Sequence, residues 1–191
     1  MDKKERIVNA AMSIFEQKGY EQAKISDITN AAGIAQGTFY LYFPSKLALI
    51  PSIAEKTVVR LLEAISKELS FYDKIEDELR QIIEVVFRFV DEYKVIYAFI
   101  YTGLSQSVHL KEWEAIYAPF YEWMSVFIKE RKESKTIRAK IPSKQLAKFI
   151  ITAIEATAEQ TYLYGMVKYA NVEKQKSFLL EFLLNALKVK R

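Results

Sequence analysis

Eight consecutive residues, Gln36-Gly37-Thr38-Phe39-Tyr40-Leu41-Tyr42-Phe43, bring together an amide, a hydroxyl and two phenols. At about 100° of helix per residue, Phe39 and Phe43 share one side. Gly37, Thr38 and Leu41 occupy the opposite side, with Tyr40 and Tyr42 at its edges. A strip of small and apolar groups with a phenol on each edge suits the floor of a duplex groove and its two phosphate walls. The phenols would donate to phosphate oxygens, while Gln36 and Thr38 reach base edges. Gly37 has no side chain to hold the backbone away from the duplex. Ser26, read as the cap of a preceding helix with free amides behind it, suits a phosphate, and Lys46 lies within reach of another. An aromatic run at helical spacing equally suits a packed core.

A second concentration of chemistry lies in the middle of the chain. Twelve aromatic residues fall between Phe87 and Phe127. Among them Phe87, Tyr93, Phe99, Tyr101 and Trp113, then Tyr117, Phe120, Tyr121 and Trp123, are the candidates for lining an apolar pocket. Glu155 and Glu159, one helical turn apart, would add acid to it. Aromatic faces with a carboxylate suit a hydrophobic cation; the aromatics alone suit an acyl chain or a flat apolar molecule. A solid aromatic core with both glutamates at the surface is the plainer reading. His109 is the single histidine and there is no cysteine, so thiol chemistry and most imidazole schemes are excluded. No Gly-rich phosphate loop, nucleophile elbow or HExxH occurs. Neither an enzyme nor a metal or cofactor site is expected.

Few breaks interrupt the elements that must position these groups: the 191 residues hold five Gly and four Pro. With 51% hydrophobic and 27% charged residues, the composition is that of a globular chain rich in long helices. The net charge of +4 is too small to argue for a polyanion. No apolar region follows Met1-Asp2-Lys3-Lys4-Glu5-Arg6, and no run reaches the ~18 apolar residues of a membrane span. A cytoplasmic, all-α protein is expected. Apolar spacing predicts a first helix through Ile7, Ala10, Ala11, Ile14 and Phe15, closed by Gly19. A short helix after Ser26 ends at Gly33, and a third runs to Phe43. A long helix follows from Lys46 to about Ser70, with Pro51 a turn and a half inside it, where a kink is expected. Later helices run from beyond Asp73 to Gly103 with a break near Asp91–Lys94, from Leu110 to Lys132, from Ser143 to about Lys168, and from Asn171 to about Lys190. About nine helices result.

Short helix, Gly-containing turn and second short helix make a helix-turn-helix arrangement. The runs Met12-Ser13-Ile14-Phe15-Glu16-Gln17-Lys18-Gly19-Tyr20, Ser26-Asp27-Ile28 and Ala32-Gly33-Ile34-Ala35-Gln36-Gly37-Thr38-Phe39-Tyr40-Leu41-Tyr42-Phe43-Pro44-Ser45-Lys46 resemble the TetR family of bacterial transcriptional regulators. The resemblance is unbroken from about Ile7 to Leu49; beyond that, only length and helix pattern match. It implies a helix-turn-helix domain at 1–46 and a helical ligand-binding and dimerisation domain at 47–191. By position, Ser26, Gln36, Gly37, Thr38, Tyr40, Tyr42 and Lys46 carry the family's DNA contacts. Ala35 stands where family members often have Ser or Thr, so one hydroxyl at the start of the recognition helix is missing.

The last two helices are too apolar for a monomer's surface. Phe178, Leu179, Phe182, Leu183, Ala186 and Leu187 make one stripe, and Phe149, Ala153 and Ala156 lie on the helix before. Burial inside one chain would explain them; the resemblance implies a four-helix interface between two copies. It also implies an effector cavity among the aromatic helices and a repressor released from a palindromic operator by a small hydrophobic or aromatic, cationic ligand. A helical interaction or membrane-surface module that keeps the fold without an operator is the alternative.

Overall fold

The computed structural model describes residues 2–69, 74–104, 110–164 and 171–189. Among them are nine α-helices and no strand: α1 (Lys3–Lys18), α2 (Ile25–Ala32), α3 (Gln36–Tyr42), α4 (Ile50–Glu68), α5 (Ile75–Glu92), α6 (Lys94–Leu104), α7 (Leu110–Glu133), α8 (Ser143–Tyr162) and α9 (Val172–Leu187). A 3-10 turn at Leu47–Leu49 precedes α4. His109 and the expected 165–168 end of α8 lie outside the described residues. None of the described helices is long and apolar enough to cross a membrane.

Contacts divide the chain into two compact units, Met1–Thr57 with Tyr93–Ile116, and Val58–Glu92 with Tyr117–Arg191. In the first unit α1 begins on Asp2, whose carboxylate accepts the Glu5 N–H at 2.7 Å, a good N-cap. The buried side of α1, including Ile7, Ala11, Ile14 and Phe15, packs on α2 and α6. Gly19 closes α1 with φ 76° and ψ 154°, a positive φ with an extended ψ. Phe99 of α6 joins this core, its ring 4.7 Å from Phe15 and 4.6 Å from Tyr20. At Gly103 of α6 there is no room for a methyl group beside the Ile50 side chain.

Pro51 sits in the first turn of α4, so the expected kink inside a longer helix is not found. The segment from Lys46 is a bend and a 3-10 turn, and α4 begins only at Ile50. In a first turn the missing N–H of proline removes no interior helical bond. The cap expected at Ser26 is likewise corrected: Lys24 occupies the N-cap position of α2, as Pro142 does that of α8, and neither makes a side-chain cap bond.

In the second unit α5 packs on α8 and α9 through a side that includes Leu79, Ile82, Ile83, Val86, Phe87 and Val90, all buried. One ion pair lies within this interior. Arg131 donates to both oxygens of Glu78, at 2.7 and 2.6 Å, and its guanidinium lies 3.6 Å from the Phe127 ring centre. Two parallel charge-assisted bonds fix α5 against α7 with a geometry that a lysine would not reproduce.

Candidate nucleic-acid interface

Each end of α2 is held by a side chain of α1. At its C-terminus Gly33 takes the left-handed conformation, φ 63° and ψ 43°, which only Gly adopts without strain. Arg6 of α1 donates to the Ala32 carbonyl at 2.5 Å and to that of Gly33 at 3.3 Å. At its N-terminus Asp27 accepts the Lys24 N–H at 3.0 Å and pairs with Lys18 at 3.0 Å. The Lys24 N–H first, and then Lys18, hold the Asp27 carboxyl below its ordinary pKa. Because Asp27 fills the third helical position, Ser26 falls one turn-step inside α2, exposed, and does not cap it.

Lys46 closes the same connection from the far side. Its ammonium donates to the carbonyls of Tyr20 at 2.6 Å and Ala23 at 2.7 Å, and stands 4.2 Å over the Tyr20 ring. Burial pushes the Lys46 ammonium below the usual lysine pKa and the Tyr20 phenol above the usual tyrosine value. In this arrangement Lys46 braces the α1–α2 connection. Sequence reading missed Arg6 and this bracing geometry, since neither leaves any periodic signal.

Gly33-Ile34-Ala35 turns the chain into α3, whose seven residues are anchored by aromatic burial. Phe39 is 0% and Phe43 3% exposed, the sides that the helical wheel assigns to the interior. Tyr40, Leu41 and Tyr42 are 49%, 83% and 43% exposed. Gln36 and Gly37 are at the surface and Thr38 is half-buried. A Cβ placed on Gly37 would meet nothing within 4 Å. The helix therefore presents an amide, an open backbone, two phenols and one leucine to solvent, held from behind by two phenylalanines.

The aromatic candidates are divided between the units. Tyr93, Phe99, Tyr101 and Trp113 belong to the first, where Tyr93 and Trp113 pack against the same core as Phe99; Tyr101 is exposed. Phe87, Tyr117, Phe120, Tyr121 and Trp123 belong to the second, together with Glu155 and Glu159. Both glutamates are 7% exposed, not surface residues, and the Tyr117 hydroxyl donates to Glu155 at 3.4 Å. Tyr117 stacks obliquely on Tyr121 at 5.8 Å. Among the described residues no group of His, Asp or Glu is arranged to hold a metal ion.

A third surface lies on α8 and α9. Phe149, Phe178 and Phe182 are 56%, 54% and 60% exposed. They border an open apolar groove of ≈ 960 Å³ that Ala153, Ala156, Leu179, Leu183, Ala186 and Leu187 also line.

A helix-turn-helix with an outward-facing second helix, accompanied by a separate helical unit, defines the class of DNA-binding transcriptional regulators. Comparison with known proteins agrees with that class. Residues 7–53 match the family described as bacterial regulatory proteins, tetR family, and residues 79–187 match a tetracyclin repressor-like C-terminal domain. The chain is 38% identical over 185 residues to the uncharacterised HTH-type transcriptional regulator YvdT of Bacillus subtilis, spanning 97% of this chain and 95% of that protein. Among solved structures, it is similar to FadR of Bacillus subtilis in complex with stearoyl-CoA, with TM-score 0.73 and 22% identity over 95% of this chain and 98% of that one. It is similar also to the repressor FadR of Thermus thermophilus in complex with lauroyl-CoA, with TM-score 0.74 and 19% identity over 98% and 96%. The chain belongs to the TetR family of bacterial transcriptional regulators. It is a regulator and not an enzyme.

Proposed function

We propose that the protein is a homodimeric repressor that binds a palindromic operator and is released by a small hydrophobic effector. The observation that carries this reading is the outward face of α3, with Tyr40, Leu41 and Tyr42 exposed above buried Phe39 and Phe43. Gln36 and Thr38 contact base edges. Ser26, Tyr40 and Tyr42 contact phosphates, and Gly37 lets the backbone approach. Lys46 braces the reader in the DNA-free state, and a phosphate near it would compete with two carbonyls. The exposed phenylalanines of α8 and α9 support an isologous dimer, which sets two readers against one two-fold operator. Residues 1–46 serve as the DNA-binding domain and 47–191 as the effector and dimerisation domain.

The effector is an apolar molecule with a cationic or hydrogen-bond-donating group. Buried Glu155, which accepts from the Tyr117 hydroxyl, and buried Glu159 one turn further along α8 support that choice. An acyl-CoA is the second reading, favoured by the stearoyl-CoA and lauroyl-CoA held by the two FadR structures of similar fold. Operator and effector weaken each other reciprocally, since each biases one conformational equilibrium.

Selection of bound sequences from a random duplex library at near-physiological salt tests the DNA reading. A recovered palindrome with half-sites in successive major grooves supports it. Only sequence-blind, salt-sensitive binding, with and without cell-extract metabolites, would favour an interaction module that keeps the fold. Release of the recovered duplex by a hydrophobic amine or by a long-chain acyl-CoA then separates the two effector classes.

A further inference from the structure

The recognition helix carries no charge. From Gln36 to Phe43 there is no Arg, Lys, Asp or Glu. The commonest specific contact in a major groove, Arg or Lys on guanine O6 and N7, is therefore missing from α3, as is an acidic acceptor for the cytosine amine. Lys46, the next cation along the chain, is turned to the carbonyls of Tyr20 and Ala23. What α3 does offer is one amide, Gln36, the half-buried hydroxyl and methyl of Thr38, and one large aliphatic group that is fully outward, Leu41. An amide pairs with adenine N6 and N7, and an aliphatic group packs on the thymine methyl.

Among the described residues Leu41 is the most exposed of the large hydrophobic side chains, at 83%, and sits between Tyr40 and Tyr42, both about half exposed. One turn earlier on the same face is Gly37, with open space where a side chain would be. A single exposed leucine needs no explanation on an ordinary surface. Here it stands at the centre of the reading face, on a helix whose other apolar residues, Phe39 and Phe43, are buried. We propose that Leu41 is a specificity-determining residue that reads the 5-methyl group of a thymine, and that the half-site core is built of A·T pairs. This rests on the operator-binding reading above.

The test uses the full chain and the duplex recovered by selection, with each thymine of a half-site replaced in turn by uracil, which deletes only the methyl group. One thymine position is expected to lose about fourfold in affinity per half-site on that replacement, the scale of one buried methyl group. In Leu41→Ala the thymine and uracil duplexes at that position should bind alike, while Tyr42→Phe keeps the fourfold difference. Leu41→Ala removes an exposed side chain, and an unchanged thermal melting curve verifies its fold. A half-site core of G·C pairs, or no uracil penalty at any position, would overturn the assignment. So would a penalty that persists in Leu41→Ala. If the wild-type chain selects no sequence at all, the operator reading fails first and the assignment with it. If it selects a duplex that is indifferent to uracil, only the role of Leu41 falls.

Discussion

Two surfaces of this chain expose large apolar side chains, and they differ in one atom type. On α3 the exposed rings are the phenols Tyr40 and Tyr42; on α8 and α9 they are the phenyls Phe149, Phe178 and Phe182. The exposures are similar, between 43% and 60%, so burial alone does not tell the surfaces apart. A phenol keeps a hydrogen-bonding tip when its ring is covered, and so suits an interface that stays wet and polar at its edge. A phenyl offers nothing to water, and three around an open apolar groove call for another apolar surface. The chemistry of the ring edge thus supports the proposal of a polyanion on one surface and a second copy on the other.

Substitutions on the two surfaces should therefore fail in different ways. The largest effect belongs to the support beneath the reader. Phe39→Ala removes a fully buried ring and should cost about 3–5 kcal/mol of stability, read as a lowered unfolding midpoint with specific DNA binding lost. An unchanged midpoint would mean that α3 is not anchored through Phe39. Next is Phe182→Glu, which places a carboxylate on the apolar groove. Its expected cost to dimerisation is about 2–4 kcal/mol, the range for a poorly compensated buried polar group. Sedimentation should show monomers while the helical content is retained, and a persistent dimer would move the interface elsewhere.

Smaller effects separate bracing from contact on the reading side. Lys46→Met keeps the aliphatic stem and deletes the ammonium that two carbonyls accept, at an expected cost near ~1–2 kcal/mol in stability. Operator affinity should fall without any change in the dependence of log K on log salt. A slope smaller by about one would instead make Lys46 a phosphate contact in the complex. Tyr42→Phe removes one hydroxyl and should weaken specific and non-specific duplexes alike, by roughly 1 kcal/mol. A loss confined to one sequence would make Tyr42 a base reader. The smallest effect is that of Asp27, whose carboxyl titrates below its ordinary range in the folded chain. Its contribution is present above the ordinary carboxylate pKa and lost as the pH falls through the lowered value. Asp27→Asn should flatten that part of the acid-unfolding curve; an unaltered curve would leave its bond to Lys24 without weight.

The reader was largely legible because its signals are local. Phe39 and Phe43 are four residues apart, so a helical wheel finds their shared side without any tertiary knowledge. Gly33 marks the turn by its own conformational need. The bracing role of Lys46 was not legible beside its expected reach to a phosphate, because the carbonyls that accept its protons lie 26 and 23 residues away. The bracing by Arg6 is hidden for the same reason. Ser26 and Pro51 were misplaced by one to a few residues at helix starts: Asp27 sets the register of α2, and a 3-10 turn delays α4 to Ile50. The aromatic stretch was the least legible. A count of rings cannot say which of two cores each one enters, and Phe99 packs on Phe15 and Tyr20 while Phe87 packs on Tyr162.

The outward residues of α3 have a further consequence. Gln36, Gly37 and Leu41 lie at the surface, while the hold on the helix comes from Phe39 and Phe43 behind it. Folding and the proposed sequence preference thus fall on different sides of the same short helix. On the proposed operator reading, changes at the three outer positions should alter which operator is favoured at little cost to the scaffold. Operator preference so placed would be free to drift under selection, or to be re-engineered, faster than the fold.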